Sequence, residues 1–247
     1  MEQYDVAVVG LGALGSAAAY HASIKGARVN LIWGSRVRRS RFNGAILKEY
    51  TRVEAVTPQP SGGVTIETSQ GVYHARKALG VELPITVMQE QVTYSKSSRE
   101  HEAQFANDKF YVWIWGGEKW LYGFPLYCEP TLKAGQYAGR NDMDPEERTW
   151  RPSERLSNEL NGFLYRLIPK RGDELRTVTC QYTITPDRQF IISELEKHKD
   201  VILALGNANA FKFAPAIGRV TAELALEGKT TDDISKFGFP KTTPSKL

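Results

Sequence analysis

Three glycines, one cysteine and two lysines set the chemistry open to this chain of 247 residues. Gly10, Gly12 and Gly15 stand in the spacing G-x-G-x-x-G. In such a turn the first glycine makes the tight bend, the second lets the backbone approach a pyrophosphate, and the third lets the next helix pack on the strand. The helix start then offers unbonded N–H groups and a partial positive charge to the anion. Cys180 opens the run Cys-Gln-Tyr-Thr-Ile-Thr-Pro-Asp. Its thiolate form could bond covalently to an electrophilic ring edge, whereas the plainer role is that of a small buried hydrophobe. Lys133 and Lys212 could each fix an ammonium where a carboxylate must be held or where negative charge develops; the plainer role is a solvated side chain. Tyr122 either lines a site or serves as a core tyrosine. Cys128 has no matching role. His21, His74, His101 and His198 are isolated, with no metal-ligand spacing and no triad order, so no metal site is expected.

The elements that must position these residues follow from periodicity and punctuation. Residues 4–10 are an apolar run that predicts a buried parallel strand opening the chain. An Ala-rich helix over residues 13–25 follows, closed by Gly26, and residues 28–33 give the second strand, completing a βαβ unit. Val64–Thr68 alternates with period two, Gln70-Gly71 turns, and Val72–Ala75 returns as a hairpin. Strands are expected at 85–94, 111–115, 120–124, 131–136 and 176–185, with Gly116-Gly117 joining the second and third. A helix is expected over 153–167, short buried strands at 190–192 and 201–204, and a helix over 213–226 capped by Gly228. The fold class is therefore α/β (α+β). Residues 1–80 and 176–230 form a discontinuous Rossmann-like domain, 81–175 a strand-rich substrate domain, and 231–247 a tail.

Composition narrows the classes. Charged residues make up 24% and apolar residues 41% of the chain, an ordinary balance for a globular protein. The net charge of +4 is too mild, and the basic residues too dispersed, for nucleic-acid binding. The exception is the run Arg36, Arg38, Arg39 and Arg41, read as a solvated loop or an anion contact. Two cysteines make no disulfide framework, which favours a reducing compartment. No apolar run is long enough to span a bilayer, and the first residues do not read as a signal peptide. The chain ends Ser245-Lys246-Leu247, a peroxisomal address that an import receptor would read.

Two stretches carry a family resemblance. Residues 180–190 and 201–218, the latter reading Val-Ile-Leu-Ala-Leu-Gly-Asn-Ala-Asn-Ala-Phe-Lys-Phe-Ala-Pro-Ala-Ile-Gly, resemble the C-terminal signature of the sarcosine, N-methyltryptophan and pipecolate oxidases. These belong to the D-amino acid oxidase-like flavoproteins. Tyr122-Gly-Phe-Pro followed by Leu132-Lys133, and the hairpin over residues 63–77, agree with the same family in order. The resemblance implies FAD as cofactor, an amino acid with a secondary or N-methyl amine as substrate, and O2 as the electron acceptor. By position it implies covalent flavin attachment at Cys180 and oxygen activation by Lys133. The substrate carboxylate falls to Lys212, which follows the loop opened by Gly206 and Phe211, both beside the cofactor.

The chain also departs from that pattern. Trp33-Gly34-Ser35 stands where an Asp or Glu would bind the ribose diol, and an indole accepts no hydrogen bond. Ser35, Arg36 or Arg38 could instead meet a 2′-phosphate, which keeps an NADP-dependent oxidoreductase open. The chain passes from Trp33 to Ala45 in about a dozen residues, and Gly80–Pro84 follows Leu79 at once, so two segments with flavin and substrate contacts are shortened. A protein that only binds a nucleotide or a partner is the remaining alternative.

Overall fold

A computed structural model of the chain describes residues 3–10, 12–32, 45–78, 85–137 and 141–240. They form two compact units, one from residues 1–85 and 185–247 and the other from residues 86–184. The segment from Trp33 to Gly44, which holds the arginine run, lies outside the described residues, as does the C-terminal Ser-Lys-Leu.

The first unit opens with β1 (Gln3–Val9), α1 (Ala13–Ile24), β2 (Val29–Ile32) and β3 (Ile46–Lys48). β1 and β2 are parallel, Val6 opposite Val29 and Val9 opposite Ile32. β2 buries all four of its residues and β1 four of its seven, as strands covered on both faces do. β4 (Val53–Pro58), β5 (Val64–Thr68) and β6 (Gly71–Ala78) follow as an antiparallel meander. The turn at Gly71 has φ +136°, a conformation that favours glycine. β6 also pairs in parallel with β1, so the meander is fused to the nucleotide unit.

The second unit runs through β7 (Thr86–Lys96), the single turn α2 (Arg99–Glu102), β8 (Trp113–Trp115), β9 (Trp120–Phe124), β10 (Leu132–Tyr137), α3 (Glu154–Leu167) and β11 (Asp173–Ile184). Its antiparallel sheet has the order β11-β7-β10-β9-β8. Chain order alone assigns residues 176–184 to the nucleotide domain. β11 instead pairs with β7 along its whole length, from Asp173 opposite Lys96 to Ile184 opposite Thr86. A period-two pattern reveals a strand but not its partner. α3 starts at Ser153, whose side chain accepts from the Leu156 N–H. Leu156, Leu160 and Leu164 form its buried stripe, and Leu160 and Leu164 pack on Leu121, Leu132 and Ala134 of one sheet face.

The chain then returns to the first unit as β12 (Ile191–Leu195), β13 (His198–Leu205) and α4 (Ala214–Glu227). β13 joins β6 in parallel, Val201 opposite Ala78, which gives the order β12-β13-β6-β1-β2-β3. α4 ends at Gly228 in the left-handed conformation, φ +68°. Residues beyond it are not merely a tail: Ile234 and Phe237 pack on the core, and the Phe237 carbonyl accepts from the Ile192 N–H at 2.7 Å.

α1 and α4 meet backbone to backbone. A Cβ at Gly218 would lie 2.4 Å from the Ala17 Cβ and 2.7 Å from the Ala18 nitrogen. Gly218→Ala is therefore expected to cost about 1–3 kcal/mol by overpacking. Thermal denaturation checks this; an unchanged melting temperature would mean that the two helices separate freely.

Candidate active site

In the first unit, β1 runs into the glycine turn. Gly10 has φ +96°, and its N–H donates to the Ile32 carbonyl at 3.1 Å. A Cβ on Gly15 would sit 1.9 Å from the Gly10 carbonyl oxygen, so that position admits only glycine without a change in the turn. A Cβ on Gly10 or Gly12 meets nothing within 4 Å, which leaves open space above the turn. Gly12 is the N-cap of α1; no side chain caps it, and the first turn has no acidic residue. An uncapped, carboxylate-free helix start beside open space fits a phosphate group. Beside it lies a cavity of about 90 Å³, lined by Val9, Gly10, Leu14, Gly15, Ala18, Leu203 and Ala204. Gly206 follows directly, and a Cβ there would strike Ala210 at 2.2 Å and Leu14 at 3.3 Å. The late strand β13 and the opening glycine turn thus border one another at the C-terminal ends of the strands, where open α/β sheets bind ligands. Phe211 is exposed and Lys212 stands over the Phe213 ring at 5.5 Å, in the 3₁₀ turn before α4.

The second unit places Cys180, Lys133 and Tyr122 on one face of its sheet. Register fixes this: Cys180 lies opposite Glu90, Lys133 opposite Tyr94 and Phe124, and Tyr122 opposite Gly135. Because side chains alternate, Tyr182, Met88, Val92, Arg176, Tyr137 and Trp120 share that face. α3 covers the other one. Gly135 is what lets Tyr122 lie across the sheet: a Cβ there would meet the Tyr122 Oη at 2.7 Å and the Val92 Cγ1 at 3.1 Å. Lys133 Nζ stands over the Phe124 and Tyr94 rings at 5.5 and 5.9 Å. A cation held over ring faces keeps its charge available to an incoming anion.

The sequence singled out the cysteine, the lysine and Tyr122 of this face but not Glu90 or Tyr182. Glu90 is 3% exposed and directly across the ladder from Cys180. The signal was the alternation Met88, Glu90, Val92, Tyr94, which puts the glutamate in an apolar register; it was read only as a strand.

The electrostatics of the face follow from burial and from Glu90. Burial pushes the Cys180 thiol up, as does the charge of Glu90, while Arg148 and Lys133 oppose them. Burial also raises the Tyr122 phenol, with Tyr182, Cys180 and Glu90 adding to it. The Tyr182 phenol is pushed up to about 12 by burial, then by Cys180, Glu90 and Tyr137, and its hydrogen bond with Tyr122 pulls it back slightly. The unfolded chain releases such protons near pH 10, and the folded chain holds them longer. Stability from these two phenols is therefore complete below pH 10 and is lost as pH rises through about 12. A melting temperature that falls through this interval, with two of the 11 tyrosines ionising late in ultraviolet difference spectra, is expected. All tyrosines titrating together near their ordinary value would contradict it.

Two of the larger surface depressions lie elsewhere. One of about 660 Å³, lined by Trp115, Leu121, Glu159 and Phe163, is on the α3 side of the second sheet. One of about 1000 Å³ lies by Tyr4, Asp5 and Arg28, where the parallel strands begin rather than end. Neither holds a residue of the faces just described. Among the described residues no group of three His, Cys, Asp or Glu side chains could hold a metal, and no helix is long and apolar enough to cross a membrane.

Comparison with known proteins shows the family. Residues 36–224 match a family model described as FAD dependent oxidoreductase. The chain is 32% identical over 218 residues to monomeric sarcosine oxidase from Bacillus sp. (strain B-0618), covering 79% of this chain and 54% of that protein. It is 32% identical over 190 residues to N-methyl-L-tryptophan oxidase from Salmonella dublin, covering 71% and 50%. The chain thus spans about half the length of the curated relatives it matches. Its fold is shared with NikD, an unusual amino acid oxidase essential for nikkomycin biosynthesis, at a TM-score of 0.76 and 18% identity, over 98% of this chain and 99% of that one. Glycine oxidase from Geobacillus kaustophilus gives 0.77 at 13% identity, over 98% and 100%.

Proposed function

This chain belongs to the FAD dependent oxidoreductase family, and from that premise we propose that it oxidises the C–N bond of a secondary or N-methyl amino acid, passing electrons through FAD to O2. Two features, one in each unit, support this reading. One is an uncapped, glycine-lined helix start fit for the cofactor pyrophosphate. The other is a sheet face that presents Cys180 and Lys133 together. FAD supplies the hydride acceptor and the oxygen chemistry. The backbone N–H groups after Gly12 hold its phosphates, with Leu203–Gly206 walling the same turn. Cys180 is the point of covalent attachment. Lys133 fixes positive charge where reduced oxygen carries its negative charge. Lys212 supplies the ammonium for the substrate carboxylate, and its exposure leaves it free to do so. The imine product hydrolyses, and peroxide is the second product.

Peroxisomal import through Ser245-Lys246-Leu247 is part of the proposal, since catalase in that compartment removes peroxide. The arginines after Trp33 keep an NADP-dependent reaction as the second reading. The absorption spectrum of the isolated protein separates the two: flavin bands that persist in the acid-precipitated protein are expected. A colourless protein that takes up no FAD but quenches NADPH fluorescence would overturn the oxidase reading. A fluorescent fusion that retains residues 245–247 at its C-terminus should be punctate, and one lacking them diffuse.

A further inference from the structure

Glu90 is an unusual residue for its position. It lies on β7, the strand next to the β11 edge of the second sheet, 3% exposed, among Met88, Val92, Tyr122 and Tyr182. Burying a carboxylate is costly, so its place beside one reactive side chain calls for a chemical reason. Directly opposed residues on antiparallel strands have Cβ atoms about 4.5–5.5 Å apart. The Cys180 sulfur is thus within reach of the Glu90 carboxylate. Of the carboxylates that strand register puts on this face, Asp142 lies opposite Met88 and Asp173 opposite Lys96, and Glu90 is the one directly across the ladder from Cys180. The nearer polar groups are the cations Lys133 and Arg176 and the phenols Tyr122 and Tyr182, which hold their protons more tightly than ordinary phenols.

We propose that Glu90 accepts the proton of the Cys180 thiol as that sulfur bonds to the flavin. The proposal rests on reading Cys180 as the attachment point. A thiolate is the nucleophile, and Cys180 rests as the protonated thiol because burial and the Glu90 charge both disfavour the anion. The proton must therefore leave as the S–C bond forms. The bond is made to the methyl carbon at the ring edge, which gives up a hydrogen. The S–H proton passes to the carboxylate, and the ring is left two electrons reduced. O2, the oxidant of the proposed reaction, takes those two electrons and two protons as hydrogen peroxide and returns the ring to its oxidised form. Lys133 and Arg148 lower the cost of the developing thiolate.

Glu90 then has two opposite effects on one sulfur, and this separates its role from a purely electrostatic one. The test uses the full chain with Cys128→Ala, produced free of flavin in riboflavin-starved cells and then loaded with FAD. Acid-stable flavin is measured against time, and Cys180 alkylation by iodoacetamide is measured on the flavin-free protein. In Glu90→Gln, alkylation at pH 8 should rise severalfold, because the anion that disfavours the thiolate is gone. Covalent incorporation should fall by about 10²-fold or more, the usual weight of a positioned base. Glu90→Asp, which keeps a carboxylate, should restore part of the incorporation and guards against simple misfolding. Incorporation in the Gln variant as fast as in the parent, or rising in step with alkylation, overturns the proposal. Equal loss in both variants with a lowered melting temperature overturns it too, as a packing role. A parent that holds FAD without an acid-stable bond overturns the proposal and leaves the oxidase reading standing; one that takes up no FAD removes both.

Discussion

Lys133→Met is expected to slow the reaction of reduced flavin with oxygen by about 10²- to 10³-fold, the usual effect of removing one preorganised stabiliser of developing charge. The side chain comes from the middle of β10 and shares its face with Cys180. Its ammonium stands over two aromatic rings, and among the described residues no carboxylate pairs with it. Such a charge is fixed in place before oxygen arrives and needs little reorganisation when superoxide forms. The expected signature is specific. Anaerobic reduction of the flavin by substrate should keep its rate, while reoxidation, followed by stopped flow at the flavin band, should collapse. Lys133→Arg should recover part of it. A reoxidation rate unchanged by methionine would remove Lys133 from this role; loss of the reductive step alone would instead place it against the substrate.

The second large effect is expected at Gly15. A single added methyl group would lie 1.9 Å from the Gly10 carbonyl oxygen and 3.1 Å from its carbon. Neither neighbour is a side-chain tip that can swing away, so the turn itself must move. Gly15→Ala is expected to destabilise the first unit by about 1–3 kcal/mol, in line with other overpacked sites. For a chain of this size that is roughly 3–10 °C in melting temperature. The larger consequence is for the proposed cofactor site: shifting Gly10 would move the N–H groups at the start of α1 away from where the proposal puts the pyrophosphate. The protein should purify with little or no FAD and be poorly reconstituted by it. By contrast Gly12→Ala, which meets no atom within 4 Å in the protein itself, should fold normally and lose affinity only where the cofactor needs the space. An alanine at Gly15 that retains flavin and melting temperature would show that the close approach is not required.

Much of this was legible in the sequence for a simple reason. Glycines at fixed offsets encode backbone conformations that few other residues adopt, and Gly10, Gly26, Gly71 and Gly228 all take positive φ in the turns and caps where they were expected. Period-two and 3.6-residue patterns likewise marked α3, α4 and most strands close to their observed limits. The motif around Cys180 carried the family. The apolar register of Glu90, between Met88 and Val92, was a local signal of its burial, but only the pairing of β7 with β11 puts it across from Cys180.

The sequence by itself determined the glycine turn and the family, and it singled out Cys180, Lys133 and Lys212 as candidates, since these depend on residue types at short separations. Tertiary structure alone decided that β11 joins β7 rather than the nucleotide sheet, that β13 closes beside the opening turn, and that Cys180, Glu90, Lys133 and Tyr122 share one face. Those are pairings between residues tens of positions apart. They are fixed by which strands bury their apolar faces against α3 and against α1 and α4, a balance that no local pattern records.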